Sequence, residues 1–109
     1  MKAPRHLRPA TRRWFKSVAD RFEMDEHNFR ILQLAGESWD RASQAREALE
    51  ENGLVYVDRY GGPKARPEIA IERDSQLRFA RLLKELGIDS VEPPSSPAMA
   101  PVRANQRRK

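Results

Sequence analysis

The stretch from Gly53 to Ile88 limits what this chain can fold into more than any other. It reads Gly-Leu-Val-Tyr-Val-Asp-Arg-Tyr-Gly-Gly-Pro-Lys-Ala-Arg-Pro-Glu, then a charged amphipathic run, then Leu86-Gly87-Ile88. Glycine reaches the left-handed backbone that ends helices without a steric cost. Asn52-Gly53 therefore closes one helix. Leu54-Val55-Tyr56-Val57 is β-branched and aromatic, which predicts a short strand. Gly61-Gly62-Pro63 predicts a turn, with Lys64-Ala65-Arg66 available to pair back as a second strand. Pro67 suits the first turn of a further helix, and Glu68 complements the positive end of its dipole. Gly87 ends that helix. Nothing in the segment forms a catalytic constellation, so function must come from assembly and charge.

Upstream, Trp14, Val18 and Phe22 recur every four residues, with Phe15 beside them. This spacing predicts a short amphipathic helix over about 10–22, started near Pro9 and capped by Thr11. Asp25 is a good N-cap for a long second helix over about 26–52. Its apolar stripe is Phe29, Leu32, Ala35, Trp39, Ala42, Ala45 and Leu49. Ile31, Leu34 and Ser38 widen the stripe in its first half only, beyond what one neighbour needs. Phe29, Ile31, Leu34 and Ser38, with Leu54 and Tyr56 of the strand, are therefore the candidate oligomer interface. In the third helix, Ile69, Ala70, Leu77, Ala80, Leu83 and Leu86 form one apolar side, with Phe79 and Leu82 next to it. Glu37–Arg41, Asp74–Arg78 and Arg81–Glu85 have the four-residue spacing of helical ion pairs.

The expected fold is mainly α. A short N-terminal helix and a long central helix precede a small β-hairpin, a third helix and a disordered Pro-rich tail. Residues 1–8 are expected to be a flexible basic arm. Residues 9–89 form the helical core and oligomerisation domain, and residues 90–109 a disordered basic tail, proline-rich and poor in large apolar groups.

Charge is segregated within the net +5 of the 109 residues. Lys2, Arg5, Arg8, Arg12, Arg13 and Lys16 precede the first acid. Arg103, Arg107, Arg108 and Lys109 close the chain, while acids outnumber bases between these ends. Basic ends on an acidic body suit a polyanion, most often nucleic acid. These ten residues are the candidate DNA contacts, the N-terminal six first. The alternative is that basic ends merely solubilise.

Other chemistry finds little support. There is no cysteine, which excludes disulfides and thiolate metal sites. No apolar run approaches the ~20 residues that span a bilayer, so no membrane partner is expected. His6 and His27 are far apart and read as surface residues. Glu68 and Glu72 share a helix face, but acids at a helix start usually serve its dipole. Gly61-Gly62-Pro63-Lys64 lacks the spacing and the Ser/Thr of a phosphate loop. No serine has a suitably placed histidine. The reading is a non-enzyme with no cofactor and no metal.

Taken together, four pieces carry a resemblance. They are Leu7-x-x-x-Thr11-x-x-Trp14, an alanine- and aromatic-rich helix, Glu47-x-Leu49-x-x-x-Gly53, and Gly62-x-x-x-x-Pro67 before a helix closing Leu82-Leu83-x-x-Leu86-Gly87-Ile88. In this order they resemble the small terminase subunit of tailed bacteriophages, from Leu7 to about Ile88. The connection Glu23-Met24-Asp25 is short for that family, and Glu68 follows Pro67 where a small residue is commoner. The resemblance implies a non-catalytic packaging protein in the bacterial host cytoplasm. It implies a homo-oligomeric ring, of eight or more subunits, that binds double-stranded phage DNA at the packaging-initiation site. It also implies recruitment and regulation of the large ATPase-nuclease subunit, with the portal as a further candidate partner of the tail. Two alternatives remain open from the residues alone: a small dimeric DNA-binding regulator, and an assembly adaptor that binds no DNA.

Overall fold

The computed structural model describes residues 2–95. It contains α1 (Pro9–Arg21), α2 (Glu26–Asn52), β1 (Val55–Val57), β2 (Pro63–Ala65) and α3 (Glu68–Leu86). The mainly α architecture with an interposed hairpin is the one expected. The most extensive packing is between α2 and α3, and α1 lies across α2 over a smaller interface.

Local chemistry sets the helix ends. The Asp25 carboxylate accepts the Asn28 N–H at 2.8 Å and caps α2. At the other end Gly53 has φ of 84°, and its N–H reaches the Leu49 carbonyl. After α3, Gly87 is left-handed at φ 74°, ψ 22°. There the Ile88 N–H bonds the Leu83 carbonyl and the Gly87 N–H bonds the Lys84 carbonyl, at 2.9 and 3.0 Å. This is a Schellman closure, and it turns Ile88 into the core beside Leu83.

The start of α1 departs from expectation. Thr11 does not cap the helix; Arg8 occupies the N-cap position without a side-chain bond. The cap comes instead from α2. Asp40 is buried and accepts the Arg8 N–H at 2.9 Å and the Thr11 hydroxyl at 2.5 Å. A carboxylate at a helix N-terminus both satisfies a free donor and complements the dipole. The crossing is close because α2 carries Gly36 there. A Cβ at Gly36 would lie 3.1 Å from Thr11 Cγ2 and 3.2 Å from Leu7 Cδ1.

The core is built on Phe79. Its ring lies 5.0 Å from Trp39 and 5.7 Å from Trp14, both tilted, so one α3 side chain joins α2 to α1. Leu7, Phe15, Val18, Leu32, Ala35, Leu83, Ile88 and Val91 complete the cluster. The α3 face therefore differs from the expected one. Ser75, Phe79 and Leu83 point inward, while Leu77 and Ala80 are exposed. Leu77 lies two residues from Ser75 and from Phe79, which on a helix is the opposite side.

Both ends of the described chain are also tied down. Residues 1–8 were expected to be a flexible arm, yet Leu7 is among the most buried side chains. Arg8 is bonded to α2 through both its backbone and its side chain. Of the expected tail, residues 90–95 are described, and 96–109 lie outside the described residues. Val91 and Pro94 are buried, and the Trp14 indole N–H donates to the Glu92 carbonyl at 2.8 Å. A buried indole needs an acceptor, and this one comes from the segment after α3.

Two outcomes test these contacts by chemical denaturation. Asp40→Ala leaves the buried Thr11 hydroxyl and the part-buried Arg8 N–H without a partner and is expected to cost about 1–3 kcal/mol. Gly36→Val pushes into Leu7 and Thr11 and is expected to cost about 1–3 kcal/mol by overpacking.

Candidate nucleic-acid interface

The inward positions of α1 are Thr11, Trp14, Phe15 and Val18. Helical periodicity then leaves Arg13 and Lys16 outward, and both are exposed. Lys2 and Arg5 are exposed in the segment before the helix. Arg12 is half-buried, and its Nη1 donates to the Arg5 carbonyl at 3.1 Å and the Leu7 carbonyl at 2.6 Å. It fastens the entry segment to α1 and remains a cation at that surface. Arg12 and Arg13 each stand a helical turn from Lys16, so like charges repel along this face. A polyanion would relieve that repulsion.

Arg8 is different from its neighbours. Its Nη1 and Nη2 donate to Glu47 Oε2 and Oε1 at 2.8 and 3.0 Å, a two-pronged pair. The pair holds the Arg8 pKa above its ordinary value, chiefly through the hydrogen bond to Glu47. The same bond holds the Glu47 carboxyl below the ordinary carboxylate value. Arg8 was expected to contact DNA, but its guanidinium is already paired within the chain. Beside it, His6 Nε2 lies 2.8 Å from Glu37 Oε2, and Gln33 donates to the same carboxylate. Glu37 is therefore not paired with Arg41, and Asp74 meets Arg73 rather than Arg78. Arg81–Glu85 also forms no ion pair among the described residues. Arg103, Arg107, Arg108 and Lys109 lie outside the described residues.

The expected oligomer residues separate into two groups. Ile31 and Ser38 are buried within a single chain and need no neighbour to cover them. The width of the α2 stripe has an internal cause here, because α3 packs along the same helix. Phe29 is half-buried and stacks on Phe15 with centroids 6.3 Å apart. Leu34, Leu54 and Tyr56 are exposed. Leu34 lies with Ile71 along a groove between α2 and α3 that also includes Ser38 and Ser75.

Two features were missed from sequence. One is Asp40, which the chain brings to Arg8 and Thr11 from about thirty residues away. The other is a basic and aromatic face on the hairpin, formed by Tyr56, Lys64 and Arg66. Its signal was the alternation of residue types across the two strands. Among the described residues, no three acids, histidines or cysteines are grouped to hold a metal ion.

The family model of the phage terminase small subunit matches residues 12–93, about three quarters of the chain. The chain belongs to that family. Comparison with curated proteins and with solved structures returns no match. The family places the chain in phage DNA packaging, where the small subunit is generally the non-catalytic, regulatory one. Among the described residues no helix is long and apolar enough to cross a membrane.

The Arg8–Glu47 pair has a pH signature. Glu47 titrates lower in the folded chain than in the unfolded one. Its contribution is therefore present above the ordinary glutamate pKa of about 4.3 and is lost as pH falls through the lowered folded value. Thermal melts of the native chain and Glu47→Gln should differ at neutral pH. That gap should narrow as pH drops below about 4.

Proposed function

We propose that this chain is the DNA-recognition subunit of the packaging machine, acting as a ring of eight or more copies in the host cytoplasm. Membership of the small-subunit family over residues 12–93 carries the reading. Five cations at the N-terminal surface support it: Lys2, Arg5, Arg12, Arg13 and Lys16. They engage the phosphates of duplex phage DNA near the packaging-initiation site. Repeated around a ring, weak phosphate contacts add through avidity. Phosphate contacts carry little sequence information, so site choice rests on DNA shape and backbone geometry. The basic tail, with Arg103, Arg107, Arg108 and Lys109, is a second set. It serves DNA or the docking of the large subunit or portal. The ring regulates that large ATPase-nuclease subunit and performs no chemistry itself.

Exposed apolar side chains support self-association. Leu34 and Ile71 face solvent at the α2–α3 groove, and Val55 and Val57 do so on the hairpin. Such surfaces on a small chain mark contact sites.

Two measurements test the reading. The mass in solution should correspond to eight or more subunits; a stable dimer points to a small regulator instead. Duplex binding should weaken steeply with salt, by a slope of roughly −0.9 for each phosphate engaged. Replacing Arg13 and Lys16 by alanine should lower that slope by about 2 per engaged subunit. Arg8→Ala should change stability more than the slope. An intact protein that binds no duplex even at low salt supports the adaptor reading.

A further inference from the structure

We infer that the β1–β2 hairpin is a second duplex-DNA contact, whose basic, aromatic face lies against the sugar-phosphate backbone. This rests on the DNA-binding reading above and assigns a surface that reading does not use.

The strands pair antiparallel, with Val55 opposite Ala65, Tyr56 opposite Lys64 and Val57 opposite Pro63. Alternation along a strand then sorts the side chains into two faces. Val55, Val57, Pro63 and Ala65 form an apolar face. Tyr56 and Lys64 lie on the other, joined at the base by Leu54 and Arg66. The position of the Arg66 guanidinium, 5.9 Å from the Tyr56 ring centroid, agrees with this assignment. Every strand residue is exposed, so the hairpin projects with both faces open. A two-stranded hairpin is marginal alone in water, and an open one gains from a partner.

The hairpin carries a net positive charge. Between Gly53 and Pro67 the only acid is Asp58. Its Oδ1 accepts the backbone N–H groups of Tyr60 and Gly62, both at 2.9 Å, and organises the loop. Gly61, at φ 83°, completes that loop, and its N–H bonds the Asp58 carbonyl at 3.0 Å. The cations Arg59, Lys64 and Arg66 run from tip to base, and none is in an ion pair among the described residues. Arg59 and Lys64 are exposed, whereas Arg66 is half-buried with its Nε out of reach of solvent. Arg59 lies 5.5 Å from the Tyr60 ring centroid. A guanidinium beside a ring still offers N–H donors to a phosphate. The stripe of cations follows an extended anion. A neighbouring subunit would be expected to meet the apolar face instead.

The test uses the full-length protein and duplex DNA of mixed sequence, with anisotropy read over a salt series. Arg59→Ala with Lys64→Ala is expected to weaken binding about 3- to 10-fold at moderate salt. It should also reduce the salt slope by about 2 for each engaged subunit. Arg59→Lys with Lys64→Arg is expected to bind like the native chain. Circular dichroism and solution mass should be unchanged, because these side chains are exposed. If the alanine variant keeps the native affinity and slope while the intact protein binds duplex, the hairpin assignment is overturned and the packaging reading stands. If the variant loses oligomeric mass together with binding, the hairpin joins subunits and the assignment is likewise overturned. Failure of the intact protein to bind duplex at low salt removes the DNA-binding reading itself, and this inference with it.

Discussion

The buried Asp40 carboxylate is the contact on which the placement of the N-terminal surface depends. The helix α1 has little of its own to hold it, being thirteen residues long. Helices of that length are marginal in isolation. Its N-cap residue is Arg8, which offers no capping side chain. Asp40 supplies the cap from the middle of α2, and Gly36, one turn earlier, lets Leu7 and Thr11 approach. Burying a carboxylate is costly unless its oxygens are matched by donors. Here the Arg8 N–H and the Thr11 hydroxyl provide them. The orientation of Arg13 and Lys16 toward solvent follows from this tie. Trp14, Phe15 and Val18 enter the core with those two facing away.

The same constraint divides the basic residues into two kinds. Sequence alone treats Lys2, Arg5, Arg8, Arg12, Arg13 and Lys16 as one cluster. In the fold Arg8 neutralises Glu47, and Arg12 holds the carbonyls of Arg5 and Leu7. Lys2, Arg5, Arg13 and Lys16 are left exposed. A basic cluster therefore overstates its own capacity for phosphate until the local acids are placed. The hairpin is the reverse case. Its three cations were hidden in a segment read as acidic overall, yet its one acid turns inward to loop N–H groups.

Elements with a local cause were legible in the sequence. The Asp25 cap, the Asn52-Gly53 stop and the Leu86-Gly87-Ile88 closure each depend on residues within a few positions. The helix and hairpin order followed from them. What failed was non-local. Thr11 looked like a cap because the competing carboxylate is 29 residues away. The inward face of α3 was placed on Leu77 rather than on Phe79 and Ser75. The polar Ser75 weakened the true stripe, and the pattern followed hydrophobicity instead of contact. The segment after Ile88 looked disordered by composition, since composition cannot show that Trp14 needs an acceptor there.

The interface expectation shows how far pattern reasoning reaches. A wide apolar stripe on α2 implies two neighbours, but not whether the second lies in the same chain. For Ile31 and Ser38 burial within one chain is sufficient. For Leu34 it is not; that side chain remains 49% exposed, near Ile71. The hairpin valines are more exposed still. A chain that leaves these groups in water forgoes part of the burial that stabilises small domains. In the proposed ring that burial is recovered between copies, which links folding to association by mass action. Stability would then rise with protein concentration. The apolar hairpin face would be covered by a neighbour while its basic face stayed open.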